Sequence, residues 1–389
     1  MTTKSLTVLL SIVFSALAFQ SIGKPALADV DNVLKHLNAI TTVASTVPGN
    51  GDVNPYGLLR VSRSIGNLQE GHYLVSNFNN SGNMQGTGTT IVDVSPGGSL
   101  SVFAQINASA LPGPCPGGVG LTTALAVLRT GWVVVGSLPT TDGTSSTAQA
   151  GCLIVLNSRG NAVETFSGLP INGPWDMTAF EQGDDASLFV TNVLNGTVAA
   201  NGNVVNQGTV IRIDIEASEK HMPWIKSMKV IGSDFSERTD PAALVIGPTG
   251  VGLSPVCEGR DQDDCTTLFG RDRGPVLYVA DTVNNRIAVI PDALTRMTSD
   301  GGGTTLTSGW NLNGPLGLAV SSSGHILTVN GDDGFITEIT PRGAQIAKKQ
   351  LDKSGGPPPG AGALFGLVVN PDGTIVFVDD ASNTLNWLH

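Results

Sequence analysis

Hydrophobic residues in this chain fall in short runs cut by Gly, Asn, Asp and Pro, and few stretches show helical periodicity. Such a pattern predicts many short strands joined by tight turns. The clearest unit lies at 314–346, where GPLGLAV, SSSGHILTVN, GFITEIT and PRGAQI read as four strands, a to d, separated by turns. The order recurs at 364–388 (LFGLVV, NPDGTIVFVD, NTLNWL) and at 275–290 (PVLYVAD, NNRIAVI). Degenerate versions lie at 55–106, 116–168 and 174–230. One slot, just before an aliphatic residue of strand a, recurs at 57, 120, 176, 250, 317 and 366. Glycine fills it everywhere except at Asp176.

Six such units predict an all-β fold, a six-bladed β-propeller of four-stranded blades. The sixth unit ends after strand c at His389, and AITTVASTV (39–47) has the character of an outer strand. That segment can complete the sixth blade, closing the ring and covering an exposed sheet edge. Residues 29–389 are expected to form one domain, with blades at about 54–106, 114–168, 171–235, 241–303, 312–351 and 362–389. Residues 1–28 stand apart. Lys4, the apolar run Leu6–Phe19 and Ala26-Leu27-Ala28 read as a signal peptide cleaved before Asp29, which implies a secreted or periplasmic protein. Cleavage removes Lys4 and Lys24 and no acid, taking the net charge from −11 to −13. That charge argues against nucleic acid and anionic membrane as partners. No later segment is long and apolar enough to span a membrane, and a monomer is expected.

Four cysteines in an exported chain read as disulfides. Cys115 precedes strand a of unit two and Cys152 opens its strand c, on one face. Cys257 and Cys265 share one insertion between strands a and b of unit four. The predicted pairs are Cys115–Cys152 and Cys257–Cys265. The bracketed acidic loop, CEGRDQDDC, lacks the spacing of a calcium loop and reads as a stapled, solvated turn.

LYVADTVNNRIAVI (277–290) resembles the NHL repeat, in which an apolar strand, an Asp and a turn with Asn and Arg lead into a second strand. NGPLGLAVSSSGHILTVN and LFGLVVNPDGTIVFVDD are similar to that repeat's leading half. The resemblance is good over units four to six and weak over units one to three. It implies a propeller and no particular activity, since the fold serves as scaffold, lectin, lyase and lactonase.

In such a blade the start of strand a and the end of strand b share one face, the top. The ends of strand b align as Asn77, Ser137, Asn192, Asp281, Asn330 and Asp379. These small polar residues suit either of two roles. They can accept hydrogen bonds from turn amides, or they can form an oxygen ring suited to Ca²⁺. Asp176 is expected to project toward the channel mouth on that face, as ligand or base, or to cap a neighbouring turn. Trp175 beside it suits core packing or a stacking surface. The candidate ligand-binding set is therefore Trp175, Asn77, Asn192, Asp281, Asn330 and Asp379, and the candidate metal set is Asp176, Asn192, Asp281 and Asp379. A second resemblance, to gluconolactonase-like and paraoxonase-like propellers, implies a catalytic divalent metal at this top centre. The first-blade glutamate of such enzymes has no counterpart, because PYGL (55–58) carries no acid. His72 and His325 follow glycines at the start of strand b, at the bottom, which argues against a three-histidine zinc site.

Loops 77–90, 137–151 and 192–208 are long, polar and nearly uncharged, and raise a rim on one half of the top face. Two functions follow. The first is a binding module that takes a small molecule, glycan, peptide or protein on its top face. The second is a Ca²⁺-dependent hydrolase, lactonase or lyase with the metal at the channel mouth and Asp176 as ligand or base.

Overall fold

The computed structural model describes residues 32–241, 243–255 and 274–389. The expected signal peptide and the expected Cys257–Cys265 pair lie outside these residues. The strands form six antiparallel sheets arranged as propeller blades, built as the repeats predict. The sixth sheet is completed by Ile40–Ser45, which pairs with Thr384–Leu388 and ties the N-terminal segment to the last blade. A short helix, Val33–His36, precedes it. Both Glu338 carboxylate oxygens accept backbone N–H groups at its start, from Val33 and Leu34 at 2.9 Å each.

Pairing register defines the slot better than sequence spacing does. Leu58, Met177, Val251, Leu318 and Leu367 pair with Val75, Val190, Val279, Thr328 and Phe377, each two residues before the polar column. In blade two the residue so paired is Leu125, with Val135. The slot there is Ala124, not Gly120. An irregularity between Leu121 and Leu125 inserts the extra length, which spacing alone could not show.

Why the slot is small is plain from the packing. A Cβ at Gly250 would overlap the carbonyl oxygen of Leu316, one at Gly317 that of Phe365, and one at Gly366 that of Tyr56. At these three joints backbone meets backbone between neighbouring blades, and no side chain fits between them. Hydroxyls staple the same joints. Ser76 accepts the Gly57 N–H at 3.0 Å and donates to the Thr122 carbonyl of the next blade at 2.7 Å. Thr191 does likewise, between Asp176 N–H (3.0 Å) and the Thr249 carbonyl (2.8 Å).

Blade three departs from the four-stranded expectation. Its outer strand, Trp224–Asp240, runs 17 residues and turns back through a fifth strand, Leu244–Ile246. Residues 243–246 are buried in the same apolar cluster as Tyr56, Trp175, Leu316 and Phe365, which come from the inner strands of blades one, three, five and six. The sequence assigned residues from 241 to blade four, whereas its first strand is Pro248–Leu253. The extra strand lies over the top of the channel.

Cys115 and Cys152 form a disulfide that spans 37 residues. Reducing it is expected to lower the unfolding free energy by on the order of 2–4 kcal/mol, read by urea titration with and without reductant. Gly317→Ala is expected to destabilise by at least about 1 kcal/mol in the same assay, because the overlapped atom is backbone and cannot swing away. A neutral result would mean that the blades can separate at no cost.

Candidate functional site

Inside the ring the six inner strands enclose a channel of about 210 Å³. Its wall is apolar apart from backbone, Thr123, Thr178 and Asp176. Along each strand burial relaxes in one direction. Leu58, Met177, Val251, Leu318 and Leu367 are buried, while Leu59, Thr178, Leu253, Val320 and Val369, one or two residues on, are half-buried. Strand a runs from top to bottom, so access increases toward the bottom.

The top end is closed. Tyr56 stacks on Phe365 with ring centroids 3.9 Å apart and on Phe78 at 4.5 Å, and Trp175 leans on Tyr56 at 6.4 Å. Trp175 is 2% exposed and its Nε1–H donates to the Val245 carbonyl of the extra strand at 3.1 Å. It is core, and no ligand on the top face can reach it.

Asp176 therefore does not project into an open top mouth. It lies under the aromatic plug, at the blind end of the channel. Its Oδ1 accepts the Met177 N–H at 2.8 Å, and its Oδ2 accepts the Val251 N–H of blade four at 3.1 Å. The carboxyl fills the joint between blades three and four, at the position that glycine, or Ala124 in blade two, occupies elsewhere. Burial pushes its pKa up to about 8, against the pull of those two amides.

The polar column is turned into its own blades. Asn77 Nδ2 donates to the Thr46 carbonyl at 3.0 Å, and Asn192 Oδ1 accepts the Asn172 N–H at 3.0 Å. Asp281 is fully buried in an ion pair with Arg286 at 2.7 Å, braced by Asn284. That network is the physical content of the D-x-x-N-x-R pattern in LYVADTVNNR. Asn330 Nδ2 donates to the Asn311 carbonyl at 2.8 Å and to Asp333 at 2.9 Å. Asp379 accepts the Ser382 N–H at 3.0 Å, and burial, with Asp352 nearby, raises its pKa to about 6.

The four residues named as calcium ligands are thus not brought together. Among the described residues no three His, Cys, Asp or Glu side chains stand together as a metal site. Their oxygens already hold amides or, at Asp281, a guanidinium, so this donor set does not fit one Ca²⁺. His72 and His325 sit at matching bottom positions, each bonded through Nδ1 to an acid of the adjacent strand (Asp93 and Glu338, 2.6 Å each).

Sequence reasoning missed two features. The plug was invisible because it joins residues from three blades. The extra fifth strand of blade three left a trace, the apolar run ALVI (243–246), which has no place in a four-strand count.

No protein-family model matches the chain, and no curated protein matches it. Solved structures do. The fold is similar to that of a gluconolactonase from Xanthomonas campestris, at 12% identity over 90% of this chain and 88% of that one, with a TM-score of 0.52. It is similar to regucalcin, a calcium-binding protein from Agrobacterium tumefaciens, at 15% identity over 88% of this chain and 92% of that one, TM-score 0.53. A luciferin-regenerating enzyme matches at 9% identity over 90% of this chain and 94% of that one, TM-score 0.53. At such identities the likeness establishes the six-bladed fold and leaves the chemistry to the site.

Burial also raises Glu237 to about 8 and Asp380 to about 7, the latter with help from Asp379. With Asp176 these carboxyls hold protons in the folded protein that the unfolded chain has released. Below about pH 4 both states are protonated and the groups are silent. As pH rises toward 8 the unfolded state loses those protons first, so stability falls. Urea unfolding at pH 5.5 is expected to give a higher free energy than at pH 8.0, by up to about 1.4 kcal/mol per pH unit for each retained proton. Asp176→Asn is expected to flatten that slope. An unchanged slope would mean that Asp176 is ionised in the fold.

Proposed function

We propose that the protein acts on a small carbonyl compound, as a hydrolase, lactonase or lyase, with Asp176 as the acid–base group at the end of the central channel. The observation that supports this reading is a carboxyl poised at about 8 in a channel with no other charged side chain. A strongly perturbed titratable group in a cleft is a functional-site candidate, and a pKa near the working pH suits proton transfer. At neutral pH the carboxyl is mostly protonated and can donate to a carbonyl or leaving-group oxygen. Its conjugate carboxylate, held by the Met177 and Val251 amides, can take a proton back. Leu58, Leu125, Val251, Leu318 and Leu367 form an apolar sleeve that suits a small molecule entering from the bottom. The fold likeness to a gluconolactonase and to a luciferin-regenerating enzyme adds to this reading. The regucalcin likeness raises Ca²⁺, but the donors here do not fit it and no step is assigned to it. The N-terminal signal-peptide pattern and the disulfide favour an exported protein.

A second reading keeps the top face as a binding surface for a glycan, peptide or protein. Its support is the order of the rim. Thr140 donates to the Gln85 carbonyl, Asp142 gathers Thr144 and Thr147, and Gln85 Nε2 donates to the Pro241 carbonyl at 2.8 Å. Such a surface is pre-organised for hydrogen-bonded recognition.

Turnover of small lactones and aryl esters separates the two. The enzyme reading expects a rate that changes with a midpoint near pH 8 and falls at least about 100-fold in Asp176→Asn, with the variant's fold checked by circular dichroism. Absence of turnover, or full activity in the variant, would falsify it. Glycan or peptide binding that survives in Asp176→Asn would favour the rim.

A further inference from the structure

A second cavity lies far from Asp176, at the bottom of the seam where the ring closes. It measures about 370 Å³ and sits between blade six and blade one, within the size range of small-molecule sites. Its apolar wall comes from Val43 on the closing strand, Pro96, Pro371, Val376 and Trp387. Trp387 pairs in register with Thr41 on one side and Val376 on the other, and its side chain stays 36% exposed. The indole lies against the His389 ring, with centroids 4.7 Å apart and the planes tilted by 36°. Tyr73 crosses the seam, its hydroxyl donating to Asn370 Oδ1 at 3.1 Å.

The charged groups at this cavity are Arg60 and Asp372. They are not equivalent. Asp372 accepts the Thr374 N–H at 3.0 Å and the Thr374 hydroxyl at 2.6 Å, so its oxygens are engaged. Arg60 is half-buried and donates no hydrogen bond to any described residue, feeling Asp372 only as a nearby charge. A planar guanidinium with five donors, partly desolvated and unpaired, favours an acceptor of matching geometry. The free cationic fork and the flat apolar wall together specify a ligand with two ends.

We propose that this seam cavity binds a small monocarboxylate with a flat apolar body, its carboxylate on Arg60 and its body against Trp387, Pro96 and Pro371. Because the wall joins the closing strand to blades six and one, an occupant bridges the two ends of the ring.

Calorimetric titration of the full chain with 3-phenylpropionate, and with 3-phenylpropan-1-ol as the uncharged counterpart, tests the proposal. The acid is expected to bind at least tenfold more tightly than the alcohol and to raise the midpoint of thermal unfolding. Arg60→Gln is expected to remove the preference for the acid, and Trp387→Ala to weaken both ligands, each in a variant whose circular dichroism matches wild type. Equal binding of acid and alcohol, no binding of either, or a preference that persists in Arg60→Gln would each overturn it. Unchanged titrations with Trp387→Ala would do the same.

Discussion

Around the axis of this ring, at Gly250, Gly317 and Gly366, the backbone carbonyl of one blade lies where the Cβ of its neighbour would be. That contact between inner strands sets the diameter of the ring and the volume left inside it. It explains why glycine recurs at one register position, and why the hydroxyls of Ser76 and Thr191 serve as staples there. A joint so tight has no room for water, so every polar atom placed in it must find a protein partner. Asp176 meets that demand with two amides, one from each side of the joint.

The same constraint decides how the carboxyl behaves. An aromatic plug and an extra strand close the top, and the channel widens away from them. A carboxyl at the closed end is denied solvent, and two hydrogen bonds do not compensate for the lost hydration. Charge is therefore disfavoured there at neutral pH, where an exposed aspartate would be ionised. Closure and proton affinity have one cause.

Much of the fold was legible in the chain. Period, turn residues and the unmatched AITTVASTV segment all point to a closed ring, because each blade repeats one local pattern. Asp176 was visible too, as a break in a repeated glycine. Its surroundings were not. The plug gathers Tyr56, Phe78, Trp175 and Phe365 from three blades, and no local pattern encodes that meeting. In blade two the glycine at 120 pointed to the wrong register, since an irregularity before Leu125 shifts the slot to Ala124. The polar column reads identically for a metal ring and for six separate turn caps. Only side-chain direction distinguishes them, and strand-end residues at this spacing do not encode it. One inter-blade connector does repeat in full. SGLPINGP (167–174) and SGWNLNGP (308–315) bury Ile171 and Leu312 and expose Leu169 and Trp310.

Ring closure has a kinetic side. Most pairings in the blades join neighbours in sequence, but the closing strand meets residues more than 300 positions away, as in the Thr41–His389 contact. Such a contact bears the largest loop-closure entropy in the molecule and is rewarded only after the intervening blades have packed. On loop-closure entropy alone, the seam is expected to be the last joint to form during folding and the first to open when the native state fluctuates. A closed ring of similar blades thereby acquires one designated point of weakness.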